Sequence, residues 1–123
     1  MLDDNGIMNI TLKDCSEIDE YDIVDLNLVL KHLANKQPTF KISDTRADWK
    51  ISKAANLKSK EEDLTSNTQA RAIIISKNIK STLLSFIHSF MKTNYPQKIF
   101  YTKDSAYQWI LEQKRIYEAN QKK

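Results

Sequence analysis

The side chains that most often act as bases, nucleophiles or metal ligands are scarce in this sequence. There are two histidines, His32 and His88, and a single cysteine, Cys15. A histidine base needs a nucleophile or a positioned water beside it, and neither histidine belongs to a serine–histidine or cysteine–histidine motif. One cysteine also excludes an intramolecular disulfide and a zinc site built from several thiolates. The sequence therefore predicts no catalytic residue, no metal site and no cofactor, and we expect the protein not to be an enzyme.

Glycine is equally scarce, since Gly6 is the only glycine in 123 residues. The phosphate-binding loops of nucleotide-binding proteins need several glycines to bring the backbone close to the phosphates, so such loops are excluded. The pair Asn5-Gly6 instead favours a tight turn, because both residue types tolerate positive φ. We expect a hairpin there whose first strand is rudimentary or lies upstream.

The candidate binding residues lie between Asp44 and Leu57. Asp44 follows a predicted strand, and open α/β sheets bind ligands beyond the carboxyl ends of their strands. Its carboxylate can also cap the turn that follows, and capping is the favoured interpretation for this residue. Trp49 is either a lid on the core or a partly exposed anchor for a partner, and the anchor is the favoured interpretation because tryptophan is enriched among such anchors. The predicted binding residues are Asp44, Thr45, Trp49, Ser52 and Leu57.

Hydrophobic periodicity predicts the elements that position these residues. It indicates strands at 6–12, 39–43, 69–76 and 98–101, an irregular segment at 44–50, and helices at 19–35, 52–64, 79–91 and 102–117. The isoleucine run within 69–76 is typical of a strand that is buried on both faces of a parallel sheet. Alternating strands and helices favour right-handed crossovers. The sequence therefore predicts one α/β domain over residues 1–123, with a mostly parallel sheet of four or five strands covered by helices.

The same pattern predicts which side chains form the core. Those expected to be fully buried are Ile73, Ile75, Phe86 or Ile87, Phe100 and Trp109.

Charge is unevenly distributed along the chain. Residues 1–25 contain eight acidic side chains and one lysine, a net charge of −7, so the remaining residues must carry +10 to give the total of +3. The lysines outside this segment form no run of five or more, which favours solvated faces over a nucleic-acid site. No apolar run approaches the ~18 residues of a membrane span, and the acidic start is not a secretory signal. We expect a cytoplasmic protein that does not bind nucleic acid or span a membrane.

The segment 70–114 resembles small bacterial proteins with the SpoIIAA-like, or STAS-like, fold, which is the fold of anti-sigma-factor antagonists. The resemblance rests on four sequence patterns. They are the strand 72–76 leading into a helix, the sequence Ser85-Phe86-Ile87, the Tyr-Pro turn at 95–100, and the helix sequence 106–110 around Trp109. The resemblance implies a binding or regulatory role in which partners dock on the helix after the second core strand. In sigma-factor antagonists that helix begins with Asp-Ser-x-Gly and its serine is phosphorylated. Here the segment reads Ile51-Ser52-Lys53-Ala54, so Ser52 is not expected to be a phosphorylation switch.

Together these observations favour a non-catalytic binding or regulatory module. Its expected partner is another protein or a second copy of itself, as a homodimer. This interpretation also includes a module that holds a small apolar ligand between helices and sheet. The alternatives are a carrier of an apolar or lipid ligand, a polyanion-binding protein and, less favoured, a small enzyme with an unrecognised site.

Overall fold

The computed structural model describes residues 3–12, 16–34, 38–47, 49–61, 68–90 and 95–121. Six strands and four helices occur in this part of the chain, in the order β1 (Ile7–Thr11), β2 (Ser16–Ile18), α1 (Glu20–Ala34), β3 (Thr39–Asp44), β4 (Trp49–Ile51), α2 (Lys53–Glu61), β5 (Thr68–Ile74), α3 (Ser81–Phe90), β6 (Gln97–Phe100) and α4 (Lys103–Gln121).

Four of the strands form a parallel sheet in the order β1-β3-β5-β6. Ile7 lies beside Phe40, Phe40 beside Ala70, and Ile74 beside Phe100. The prediction of an α/β fold with a parallel sheet of four or five strands is confirmed. β5 is an inner strand, and almost every residue in it is buried, as its isoleucine run indicates.

One face of the sheet is covered by α4. Alternate residues of three neighbouring strands point to this side, and Ala106 and Ile110 of α4 pack against them. The cluster is Ile7, Phe40, Ile42, Ala70, Ala72, Ile74, Ala106 and Ile110. Tyr117 extends it by an edge contact with Phe40, with ring centroids 5.6 Å apart. The helix begins behind Thr102, whose hydroxyl oxygen accepts a hydrogen bond from the Ser105 amide, as expected of an N-terminal cap.

The opposite face is covered by three helices and a small second sheet. Leu83 and Ile87 of α3 pack with Ile73 and Ile75 of the sheet segment, while Leu26 of α1 packs with Met8. A second, two-stranded parallel sheet, β2-β4, lies on this side, since its Trp49, Ile18 and Ile51 join the same cluster as Ile73. α2 packs on α1 through Ala55 and Ile23.

α1 and α2 each begin with a side-chain cap. The Asp22 amide donates to Asp19 Oδ1 and the Asp19 amide donates to Asp22 Oδ2, which satisfies two backbone donors reciprocally. The Ala55 amide donates to Ser52 Oγ over 3.0 Å. Asp19 and Asp22 at the start of α1 and Ser52 just before α2 therefore have local structural roles.

The N-terminal turn is present, with Gly6 at φ 76°. The Gly6 amide donates to the Asp3 carbonyl, and the Asp3 amide donates to the Ile7 carbonyl. Within the described residues β1 pairs only with β3 and in parallel, so the expected hairpin is limited to this single turn.

Several expectations need correction. The segment 44–50 is not wholly irregular, because β4 begins at Trp49 and pairs with β2, a strand that was not predicted. Ile73, Ile75 and Ile87 are buried as predicted, and the Phe86 side chain lies outside the described residues. Phe100 and Trp109 are only partly buried, because β6 is an edge strand and leaves their tilted ring contact (centroids 5.7 Å apart) partly open to solvent. Predicted positions 35 of the first helix, 62–64 of the second and 91 of the third lie outside the described residues.

Within the described ranges, none of the helices combines the length and apolar character that crossing a membrane requires.

Candidate functional site

The carboxyl ends of three parallel strands form one side of an open cleft, here called the carboxyl-edge cleft. β3, β5 and β6 end beside one another at this edge, and the cleft has a volume of about 530 Å³. Its lining residues are Arg46, Ile75, Ser76, Lys77, Ile99, Phe100, Tyr101, Thr102 and Ser105. Open parallel sheets bind ligands at this edge because loops and helix starts converge there.

Asp44 and Arg46 form a two-point ion pair at the rim of the cleft. Arg46 Nε donates to Asp44 Oδ1 over 2.9 Å, and Arg46 Nη2 donates to Asp44 Oδ2 over 2.7 Å. The Arg46 side-chain hydrogen bonds lower the pKa of the Asp44 carboxyl, against the opposing effect of burial, and Lys103 adds a smaller lowering. The guanidinium is substantially exposed. The sequence alternative in which Asp44 caps the following turn is also realised, because its carboxylate accepts the Arg46 amide.

Thr45 and Trp49 fix the chain that follows β3. The Thr45 amide and hydroxyl both donate to the Ile74 carbonyl, over 2.9 and 2.8 Å. The Trp49 indole Nε1 donates to the Thr45 carbonyl over 3.0 Å. These bonds hold Arg46 at the carboxyl edge, beside the end of β5.

Trp49 is the lid of the core, and the favoured prediction of an exposed anchor is wrong. Its side chain is 2% exposed and packs with Ile73 and Ile75. The indole N–H has an acceptor within the segment that it closes, so the ring is buried without losing a hydrogen bond.

Ser52 and Leu57 belong to a different part of the molecule. Ser52 caps α2, while Leu57 lies on that helix and is 55% exposed. The structure therefore brings together Asp44, Thr45 and Trp49, through the contacts given above, and leaves Ser52 and Leu57 on α2.

The polar groups of the cleft come from three separate loops. Lys77 follows β5 and lies over the Tyr101 ring, with its Nζ 5.9 Å from the centroid. Thr102 and Ser105 open α4, where Thr102 Oγ1 donates to Ser105 Oγ over 2.8 Å. The positive end of a 19-residue helix dipole adds to the charge of the two cations. The arrangement can hold an anionic group above an apolar floor formed by Ile75 and Ile99.

These cleft residues were not predicted as site residues. Arg46, Lys77 and Thr102 are far apart in sequence, and no motif connects them. The available signal was positional, because each follows the end of a strand, and Asp44 is the last residue of β3.

The histidines do not contribute to this cleft. His32 is an exposed residue of α1 and His88 is an exposed residue of α3. Among the residues that the structure describes, no three histidine, cysteine or acidic side chains come close enough together to hold a metal ion. The chemistry that the cleft offers is charge and hydrogen bonding.

Comparison with known proteins identifies a family without assigning an activity. No curated protein and no solved structure matches the chain significantly. A family model described as "Domain of unknown function (DUF7793)" matches residues 1–114. Because this match covers most of the sequence, the chain belongs to the DUF7793 family.

Proposed function

We propose that this protein is a non-catalytic binding module that takes a small anionic ligand, bearing a carboxylate or phosphate group, in the carboxyl-edge cleft. The observation that carries the proposal is the convergence of Arg46 and Lys77 with the hydroxyls of Ser76, Thr102 and Ser105 around one opening. Guanidinium and hydroxyl groups are the donors that proteins use for carboxylates and phosphates.

The Asp44–Arg46 pair supports an exchangeable site. The Asp44 carboxylate occupies the donor fork of Arg46, and the pair is close enough to solvent for an external anion to compete. A carboxylate or phosphate that displaces Asp44 regains the same two-point geometry. The Asp44 carboxylate thus keeps the Arg46 guanidinium oriented, and a ligand must bind that guanidinium more strongly than Asp44 does in order to displace it.

The non-catalytic part of the proposal is supported by the types of side chain in the cleft. The described residues that line the cleft include lysine, arginine and hydroxyl side chains and no histidine, cysteine or carboxylate, and the Asp44 carboxylate at the rim is held by Arg46. A hydroxyl nucleophile normally requires an adjacent general base. The resemblance to STAS-like domains, which work by docking, also favours binding over catalysis.

The proposal is tested by titrating ¹⁵N-labelled protein separately with inorganic phosphate and with citrate, and following the amide resonances. We expect saturable shifts at Ser76, Lys77, Thr102 and Ser105, with dissociation constants in the millimolar range, which is about −4 kcal/mol. The anion with the lower dissociation constant shows whether the site prefers phosphate or carboxylate.

Two variants and a matched control make the test specific. Arg46→Gln should weaken binding about tenfold, whereas Asp44→Asn should tighten it several-fold by freeing the guanidinium. Arg115→Gln is the control, because Arg115 forms a comparable exposed pair with Glu112 on α4, away from the cleft. Equal affinities for the native protein and Arg46→Gln, or shifts spread evenly over all lysine-rich surfaces, would contradict the proposal.

A further inference from the structure

The outer surface of α1 and α2, here called the α1–α2 face, exposes large apolar side chains. Tyr21 is 72% exposed, Leu28 is 62% exposed and Leu57 is 55% exposed, and Val29 is exposed to a lesser degree. In the described ranges, four of the seven large apolar side chains that are exposed lie on these two helices. Side chains grouped in this way mark an interaction surface more often than single exposed apolar residues do.

The apolar residues of α1 are placed on its outer side by helical geometry. Tyr21 and Leu28 are seven residues apart, or nearly two turns, and share one side of the helix. Ile23 and Asn27 are buried on the inner side. α1 therefore has apolar side chains on two sides, one packed against the rest of the protein and one exposed to solvent.

Charge is divided between the two helices of this face. α1 carries Glu20, Asp22 and Asp25, all exposed, with Glu17 and Asp19 just before it. By sequence α1 also contains one lysine, Lys31, whereas α2 contains Lys53, Lys58 and Lys60 with one acidic residue, Glu61. α1 is therefore net acidic and α2 net basic, and each exposes apolar side chains.

We propose that a second copy of this chain occupies the α1–α2 face, in a two-fold symmetric homodimer. A two-fold interface brings the same surface of both subunits together. A surface with one acidic and one basic helix complements itself when α1 of one subunit lies against α2 of the other. The proposal is independent of the anion site, because its residues lie outside the carboxyl-edge cleft.

The charge distribution also selects the orientation of the dimer. α1 leads from β2 to β3 and α2 leads from β4 to β5, and each of the pairs β2-β4 and β3-β5 is parallel, so the two helices run in the same general direction. A two-fold axis along the helices places α1 against the partner's α2. An in-plane axis perpendicular to them places α1 against α1, which sets acidic side chains against acidic side chains.

The apolar part of the proposal is tested by sedimentation equilibrium. The native protein should dimerise, and the double variant Tyr21→Ser/Leu28→Ser should weaken dimerisation about tenfold or more, as expected for central apolar contacts. The matched control is Leu111→Ser/Ile116→Ser, which removes two exposed apolar side chains of α4. A monomeric native protein at millimolar concentration, or equal weakening by the control, would overturn the proposal.

The orientation is tested by charge reversal and mixing. An acid-reversed variant, Glu20→Lys/Asp25→Lys, and a base-reversed variant, Lys53→Glu, should each self-associate more weakly than the native protein. Their equimolar mixture should recover dimerisation, because both α1–α2 contacts are then between opposite charges. Circular dichroism of each variant confirms that it is folded. If the mixture associates no better than the separate variants, α1 does not face the partner's α2 and the proposal fails.

Discussion

The two faces of the sheet are covered in different ways. On one side a single 19-residue helix, α4, lies on an apolar layer and is tied to the N-terminal turn. Tyr107 of α4 donates to Asp3 Oδ2 over 2.5 Å and accepts from Asn5 Nδ2 over 3.0 Å, and Lys114 donates to the Asn5 carbonyl. One long helix, hydrogen-bonded to the N-terminal turn, thus covers this face of the sheet.

The other side is built from three helices and a small second sheet, and it buries polar groups. Lys41 and Arg71 are neighbours in the register of β3 and β5, and both are almost fully buried. Burial lowers the pKa of Arg71, and Tyr95 acts in the opposite direction. The apolar side chains that this layer leaves exposed lie on its outer surface, on α1 and α2. The α4 side is thus covered by one long helix, whereas the α1–α2 side carries the exposed apolar surface on which we propose that a second copy docks.

The largest expected effect comes from opening the layered side at Trp49. Trp49→Ala should lower the free energy of unfolding by about 3–5 kcal/mol, since it removes a fully buried aromatic side chain. Trp49→Phe should cost much less, because it keeps most of the packing and loses the hydrogen bond to Thr45. Urea denaturation followed by circular dichroism measures both, and an unchanged midpoint for Trp49→Ala would show that the side chain is not a lid.

The corresponding change on the α4 side is Ile110→Ala. Ile110 is fully buried in the cluster beneath α4, so the substitution should cost about 2–5 kcal/mol. Leu111→Ala is the natural control, because the neighbouring residue is exposed and its replacement should change stability by about 0.5 kcal/mol or less. Equal losses in thermal or urea unfolding would contradict the assigned orientation of α4.

Strand β5 and residue Trp49 show what sequence can and cannot predict. The isoleucine run of β5 predicts a central parallel strand because strands buried on both faces lack alternation, and the structure confirms it. Trp49 was harder to interpret, because β4 has three residues, too few for a recognisable period, and pairs with an equally short β2.

The candidate site was only partly predictable for a related reason. Asp44 was identified because it follows a strand. Arg46, Lys77 and Thr102 meet only when β3, β5 and β6 are placed side by side. Three loop positions distant in sequence have no common local pattern, so their convergence depends on tertiary structure.

A smaller effect is expected where the N-terminal turn meets α4. Tyr107→Phe removes the hydroxyl that bridges Asp3 and Asn5 and should cost about 1–2 kcal/mol. Tyr101→Phe, at an exposed position, should leave the unfolding midpoint unchanged. If the two substitutions have the same effect, the bridge does not contribute to the sealing of the α4 side.

The same contact predicts a pH dependence. Burial raises the pKa of Asp3, but hydrogen bonds from Tyr107, the Ile7 amide, Asn9 and the Asn5 amide together place it below its ordinary value. The stabilisation from this carboxylate is therefore present above about pH 4 and is lost as pH falls through the lowered pKa. The difference in stability between the native protein and Asp3→Asn should be largest near neutral pH and shrink under acid conditions. A difference that is constant from pH 7 to below about pH 3 would show that ionisation of Asp3 does not contribute to stability.

The proposal that the protein associates through the α1–α2 face and not through α4 is tested most directly by diluting the native protein and recording its amide resonances. We predict that resonances of α1 and α2 around Tyr21, Leu28 and Leu57 shift as the protein is diluted, while those of α4 stay in place. Shifts that are confined to α4, or a spectrum that does not change over a thousandfold range ending at about 1 mM, where even weak dimers form, would contradict the account.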